Sequence, residues 1–485
     1  MAATPVTELD DIQALAKAGY GSLPDACHLL LQVRDAAAAR AWLKSFRPTV
    51  IADLKTRLQS AVHIAVSAPG LRALGVEEAV IGGFSQEFVD GMAADPARSR
   101  RLGDLGANAP AGWAWGGPGA EPHLVLLLFA DTDGLGPLRE ALINPAFEAA
   151  FTHTELSTAR RDGREPFGFL DGLSQPELDW AGARTPGGLA DLDYGNAIAA
   201  GEVLLGYPNE YGLYTSRPLI RRDPARLLPE APDAPGWFDL GRNGSYLVLR
   251  QLEQDVDGFW AFAKAHAGPS GGGEALAEAM VGRKLQSGEP LARLSKTPIR
   301  GVGPDQDDLR YNAFTFDSDA EGRLCPYSGH IRRANPRTGD IPGGDRGLLG
   351  MLVSMLGFGV DRRADTIASS RFHRLLRRGR KYGAPGEPRG LHFLALNANL
   401  GRQFEFIQGA WLNSPKFAGM TAEQDPLLGS RQPLKTGQPT DAFRMPVAGG
   451  PCRELDGLPR FVTVKGGAYF FMPGVRALKW IAGGG

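Results

Sequence analysis

The sequence predicts an α+β protein built from two halves of related strand and helix order. Three observations carry this. Short apolar runs of strand length alternate with stretches of helical spacing. The same order occurs twice along the chain. Between the two occurrences, the stretch from Pro218 to Trp237 holds five prolines and few apolar runs, as a boundary should. The halves are therefore placed at residues 1–217 and 238–485. A length of 485 residues fits two or three domains of roughly 100–200 residues each.

In the first half, His28 to Val33 (HLLLQV) reads as a buried strand. A helix follows, with Ala37, Ala38, Trp42 and Leu43 on one face. Val62 to Val66 (VHIAV) is a second strand, and Leu71 to Leu74 opens another helical stretch. His123 to Phe129 (HLVLLLF) is a third strand, and Leu135 to Leu142 is helical. In the second half, Tyr246 to Arg250 (YLVLR) is a strand, and Val256 to His266 has helical spacing through Phe259 and Phe262. Glu274 to Met280 is helical, Leu391 to Leu396 (LHFLAL) is a strand, and Gln403 to Leu412 is helical. The halves share this pattern but little residue identity. Strands and helices alternating this loosely suit an α+β sandwich.

Composition narrows the function classes. A net charge of -1 gives no general attraction to nucleic acid or anionic membranes. The 64 glycines and 36 prolines are spread along the whole chain, which means many loops between ordinary elements and not a disordered block. Three cysteines, Cys27, Cys325 and Cys452, make no disulfide framework. No Cys-x-x-Cys-His occurs, which excludes covalent attachment of a c-type haem. The acidic start around Glu8, Asp10 and Asp11 lacks the features of an export leader, and no apolar run is long enough to span a bilayer. The expectation is a reduced, cytoplasmic setting, with no tail beyond about Ala482.

Three segments carry chemistry. GREPFGFLDGLSQP (163–176) places Asp171 among glycines, where the backbone can bend tightly and approach a flat ligand; alone it reads as a common Asp-Gly turn. CPYSGHIRRANPR (325–337) sets His330 beside Arg332, Arg333, Asn335 and Arg337. Pro336 biases Asn335 away from helix, so a short turn around His330 should end there. Neutral imidazole is a good iron ligand, and nearby arginines suit carboxylates such as haem propionates. Alone, this segment reads as a solvated basic turn. A zinc site on Cys325 and His330 lacks a second ligand pair. FHRLLRRGRKYG (372–383) alone reads as a solvated basic face, or as a phosphate or nucleic-acid patch between Arg374 and Lys381.

In this order the three segments resemble the dye-decolourising peroxidase family. Further likeness lies in DIQALAKAGYG, GLRALGV, EVLLGYPNEYG, GSYLVLRQLEQDVDGFW and AYFFMPGVRAL, so it runs from about residue 10 to the C-terminus. Length and spacers are most similar to the larger, cytoplasmic branch. The resemblance implies two ferredoxin-like halves, each an antiparallel sheet flanked by helices. It also implies one non-covalent haem b per chain, in the C-terminal half. By motif, His330 matches the proximal iron ligand and Arg337 the propionate contact. Asp171 matches the distal acid–base residue, and Arg377 the distal arginine. Leu391 and Phe393, two apart on one strand face, match an apolar wall above the haem. No acidic partner for the proximal histidine is evident; Glu405 is the sequence's only suggestion. The implied reaction reduces hydrogen peroxide at the expense of dyes, phenolic compounds or another bulky organic electron donor. The alternatives are a haem-handling or peroxide-detoxifying protein of the same fold, a non-enzymatic haem carrier, or a basic-patch nucleic-acid binder. Neither nucleic acid nor membrane is expected as a partner; a homo-oligomer stays open.

Overall fold

The first half is a βαββαβ unit. β1 (Asp25–Val33) leads through α1 (Ala36–Ser45) to β2 (Ser60–Val66). β3 (Leu124–Ala130) returns through α2 (Leu135–Leu142) and α3 (Pro145–Ala150) to β4 (Phe151–Ser157). Local chemistry sets the boundaries. Asp35 starts α1 by accepting from the Ala38 amide at 2.7 Å. Asn144 does the same for Phe147 at 3.1 Å, with Pro145 just inside the helix. All seven residues of β3 are buried, which explains an apolar run without alternation. The computed structural model describes residues 5–186, 194–267, 272–296, 298–338, 369–446 and 450–484.

The second half repeats the plan with insertions. β5 (Ser245–Gln254) leads through α4 (Val256–Ala265) and α5 (Glu274–Val281) to the short α6 (His330–Ala334). Two short strands follow, β6 (Leu376–Arg377) and β7 (Arg380–Tyr382), then β8 (Gly390–Asn397). A π-helical stretch over 401–412 precedes β9 (Val462–Met472) and α7 (Val475–Gly483).

The strand order is β2–β3–β1–β4 in the first half. In the second, β6 and β7 lie end to end along one edge of β8, followed by β5 and β9. Counted within each half, with β6 and β7 together as the second strand, both run second, third, first, fourth. Every pairing is antiparallel, which is the ferredoxin-like arrangement. The Phe471–Val66 pair joins β9 to β2, so the halves share one nine-stranded sheet. Leu29, Leu31, Trp42, Phe471 and Leu478 fill the core on one face; Leu30, Leu127, Phe129, Leu247 and Phe470 fill the other.

Two features open space for a site. A register shift between Gln251 and Leu252 turns the end of β5. A third core cluster, including Phe167, Phe259, Met280 and Phe461, gathers around α4 and α5. Some local readings shift. Trp42 and Leu43 of α1 are buried and Ala38 packs against the core as expected, but Ala39 takes the buried place expected of Ala37, which is exposed. The proline-rich stretch forms a small three-stranded sheet of its own over 219–239. No helix among the described residues is long and apolar enough to cross a membrane.

Candidate active site

A cavity of about 420 Å³ is lined by His330, Asp171, Arg377, Arg337, Leu391 and Phe393. All six residues singled out from the sequence meet there. The size falls within the roughly 300–1,000 Å³ of small-molecule and cofactor sites.

His330 is the first residue of α6, and the helix ends at Asn335, ahead of Pro336. Its Nδ1 lies 2.9 Å from Asp425 Oδ2. Asp425 is fully buried and also accepts from the amides of Leu427 (2.9 Å) and Leu428 (2.7 Å). Burial pushes its carboxyl up, but His330, the Leu428 amide and Arg333 together hold it below the ordinary range. An anion here fixes the tautomer, with Nδ1–H donating, and leaves Nε2 for the cavity.

Glu405 is not this partner. Its buried carboxylate is already engaged by Arg98 (3.1 Å), Arg101 and the Tyr469 hydroxyl (3.0 Å). Asp425 escaped the sequence reading because it stands 95 residues beyond His330, outside any regular element. The only local signal was an Asp-Pro turn.

The Asp171 loop is held from inside. The half-buried Glu165 carboxylate accepts from Phe167 N (3.0 Å), Phe169 N (2.9 Å) and Gln254 Nε2 (3.0 Å). Arg164 donates to the carbonyls of Gly168 (2.6 Å) and Leu285 (3.1 Å). Gly168 and Gly172 have φ of +103° and +78°, values that favour glycine. The Asp171 carboxylate is exposed and accepts from the Gly172 amide at 2.7 Å. Arg377, on β6, ties down the far end of the loop. Its Nη2 donates to Ser174 O at 2.6 Å, and its amide donates to Gln175 Oε1 at 2.9 Å. Burial lowers the Arg377 pKa, Asp171 pulls it back up, and Arg374 adds to the lowering.

Among the guanidiniums that line the cavity, those of Arg337, Arg374, Arg283 and Arg377 have no carboxylate partner among the described residues. Arg337, 2% exposed, donates to the carbonyls of Asn312 (2.8 Å) and Phe314 (2.6 Å) and lies 3.6 Å from the Phe314 ring centroid. Arg374 meets Tyr194 OH, Gly195 O and Asn196 Oδ1. Arg283 donates to Gly288 O and Tyr311 O, and Arg377 to Ser174 O. Burial, with repulsion from Arg337 and Arg377, holds Arg283 down to about 9. Burial, with Arg374 adding to it, holds Arg337 down to about 10. Buried and half-buried cations whose partners are all neutral favour an anionic ligand.

Other arginines of these segments do not face the cavity. Arg332 pairs with Asp319 (3.2 Å) and Cys325 O (2.8 Å). Arg333 donates to the carbonyls of Trp411, Ser414 and Glu423. Both anchor α6 to its surroundings. The 372–383 run is not a solvated face either, since Arg374 and Arg380 are buried.

The donor set suits a haem: an imidazole nitrogen backed by an anion, cations placed for carboxylates, and the apolar side chains of Leu391 and Phe393. No protein-family model matches the chain. A multifunctional dye peroxidase of Amycolatopsis sp. is 30% identical over 494 residues, covering 93% of this chain and 91% of that protein. A dye-decolorizing peroxidase of Exidia glandulosa is 29% identical over 452 residues, covering 89% and 77%. A solved dye-decolorizing peroxidase in complex with 2,6-dimethoxyphenol superimposes with a TM-score of 0.68 at 25% identity, over 98% of this chain and 100% of that one. With that likeness running nearly end to end in both sequence and fold, the chain belongs to the dye-decolorizing peroxidase family and is a haem peroxidase.

Proposed function

We propose that this cavity holds one non-covalent haem b per chain, with His330 as the residue that would bind the iron and Arg337 as the one that would meet a propionate. The reading takes hydrogen peroxide as oxidant, and dyes or phenolic compounds as electron donors. The observation that carries it is the convergence of His330, backed by Asp425, with Asp171 and Arg377 on one cavity. The 2,6-dimethoxyphenol bound by the solved relative supports a phenolic donor.

Haem, when bound, supplies the iron that takes up peroxide and the ring that holds oxidising equivalents. The protein does the rest. Asp171 takes a proton from the inner peroxide oxygen and returns it to the outer one, as general base and then acid. Arg377 stays cationic and stabilises negative charge as the O–O bond stretches. Its hydrogen bond to Ser174 O also keeps the Asp171 loop in place. Asp425 holds the His330 ring and its tautomer. Leu391 and Phe393 exclude water from the reacting oxygens.

A haem-handling protein of the same fold would not require Asp171 and Arg377 together, so their presence favours turnover. The reading also includes a cytoplasmic setting, supported by three cysteines that are all free. The division into halves at 1–217 and 238–485 is likewise proposed, supported by the repeated strand order on either side. The test is a haem titration of the purified protein, followed by peroxide and 2,6-dimethoxyphenol. A Soret band saturating at one haem per chain and peroxide-dependent oxidation are expected. Failure to bind haem would sink the reading.

A further inference from the structure

Near the N-terminus the chain reads Gly19-Tyr20-Gly21. Both glycines line the cavity. Tyr20 adopts a φ of +52°, and its ring packs into the core, leaving the residue 6% exposed. The hydroxyl lies 2.7 Å from His63 Nε2. His63 is fully buried, and its Nδ1 has no partner. If Nε2 carried the proton, both the Tyr20 hydroxyl hydrogen and Nδ1 would go unpaired. With the proton on Nδ1, the hydroxyl donates to Nε2, and fewer groups are left unsatisfied. Burial pushes His63 down to about 3, so it is a neutral acceptor at any working pH. Burial also raises the Tyr20 hydroxyl far above the ordinary phenol range, so the phenol does not ionise unaided.

We propose that Tyr20 is a redox-active residue that yields one electron to the peroxide-oxidised haem of the adjoining cavity while its hydroxyl proton passes to His63. This rests on the haem reading of the cavity. Reducing one hydrogen peroxide to two waters takes two electrons. When no donor is present, Tyr20 supplies one of them. The O–H bond breaks, the electron goes to the oxidised haem, and the proton goes to Nε2. A neutral tyrosyl radical and an imidazolium remain, and an electron from a later donor reverses both transfers. Because the ring is buried, the radical cannot couple with another molecule. Tyr20 thus stores an oxidising equivalent and is not a docking point for bulky donors. A row of rings continues from it: Phe129 at 4.9 Å, His28 at 6.1 Å from Phe129, His392 at 5.7 Å from His28, and Tyr382 stacked at 4.6 Å on His392. Tyr382 is therefore the natural competitor for the radical.

The test is electron paramagnetic resonance on haem-loaded protein frozen after one equivalent of hydrogen peroxide, without donor. Wild type should give a neutral tyrosyl signal that narrows when the protein carries ring-deuterated tyrosine. The signal should be lost in Tyr20→Phe and kept in Tyr382→Phe. Soret absorbance per chain checks that each variant folds and binds haem. If Tyr20→Phe fails that check, His63→Phe decides, since removing the proton acceptor must also abolish the signal. A radical unchanged in Tyr20→Phe, one lost in Tyr382→Phe instead, or no tyrosyl signal in wild type overturns the proposal. Absence of a Soret band in wild type would instead sink the haem reading beneath it.

Discussion

Two aspartates serve this cavity, and their surroundings are opposite. Asp425 is fully buried behind His330, with the imidazole and two amides on its oxygens. Asp171 stands exposed in the cavity wall, with one amide on Oδ1. The first is locked as an anion. Giving it a proton would break the bonds that hold the ring of His330, so it can only orient and polarise. The second can take a proton and return it at little structural cost. Arg377 shows how little separates the two. It attracts the Asp171 charge across the cavity wall, but its hydrogen bonds go to Ser174 and Gln175, leaving the Asp171 oxygens available. Residue type is the same; the number of donors fixed on the carboxylate assigns the role.

The contrast can be broken from either side. The largest effect is expected for His330→Ala, which removes the proposed iron ligand and leaves the buried Asp425 carboxylate without its imidazole partner. Haem retention after gel filtration, read as Soret absorbance per chain, should fall to near zero. Full loading with an unchanged spectrum would remove His330 from the site. Next is Asp171→Asn, which keeps shape but cannot carry a proton. The rate of reaction with peroxide should drop by about 10²–10⁴-fold, with haem loading unchanged. A variant as fast as wild type across pH would mean that water moves the proton. Arg377→Leu should slow the same step by about 10²–10³-fold. Because Arg377 also anchors the loop at Ser174, adding Asp171→Asn to it should cost less than the two single effects multiplied.

How much of this was legible in the sequence follows the range of the interactions. β3 and α2 could be read from apolar runs and spacing because local pattern decides them. The strand order of the shared sheet could not, since the Phe471–Val66 pair joins residues at opposite ends of the chain. His330, Asp171 and Arg377 were reached through the resemblance that their three segments carry in order; alone, each segment reads as a common turn or a solvated basic face. Arg332 and Arg333 looked equally suited to propionates, and only packing shows them turned toward Asp319 and the carbonyls near Trp411. Asp425, marked only by an Asp-Pro turn, and His63 were not legible, because the partner of each lies far along the chain in a segment that does not point to it. Glu405 was the sequence's only suggestion for the acid behind His330, but its position within Arg98, Arg101 and Tyr469 is set by tertiary contacts alone.

The smallest effect is expected from Asp425→Asn, and it carries a pH signature. The amide can still accept from Leu427 and Leu428, but no anion then faces His330. Haem affinity should weaken by about 10–100-fold, the usual scale for removing a partner behind a metal ligand. Loss of the anion also makes the ligand less basic, so the iron reduction potential should rise. Stability follows from the lowered pKa of Asp425. A carboxyl depressed in the folded state binds fewer protons there than in the unfolded chain, whose value is about 3.9. Its contribution is therefore fully present above that value and is lost as pH falls through the lower folded value. Denaturant unfolding of haem-loaded wild type and Asp425→Asn, run in parallel from neutral pH downward, compares two proteins that differ only in the charge behind His330. Wild type should be the more stable at neutral pH, by a margin that stays level down to about pH 4 and shrinks below it. A margin that is flat to the lowest pH would mean that the Asp425 charge does not hold His330, and that hydrogen bonding alone fixes the ring.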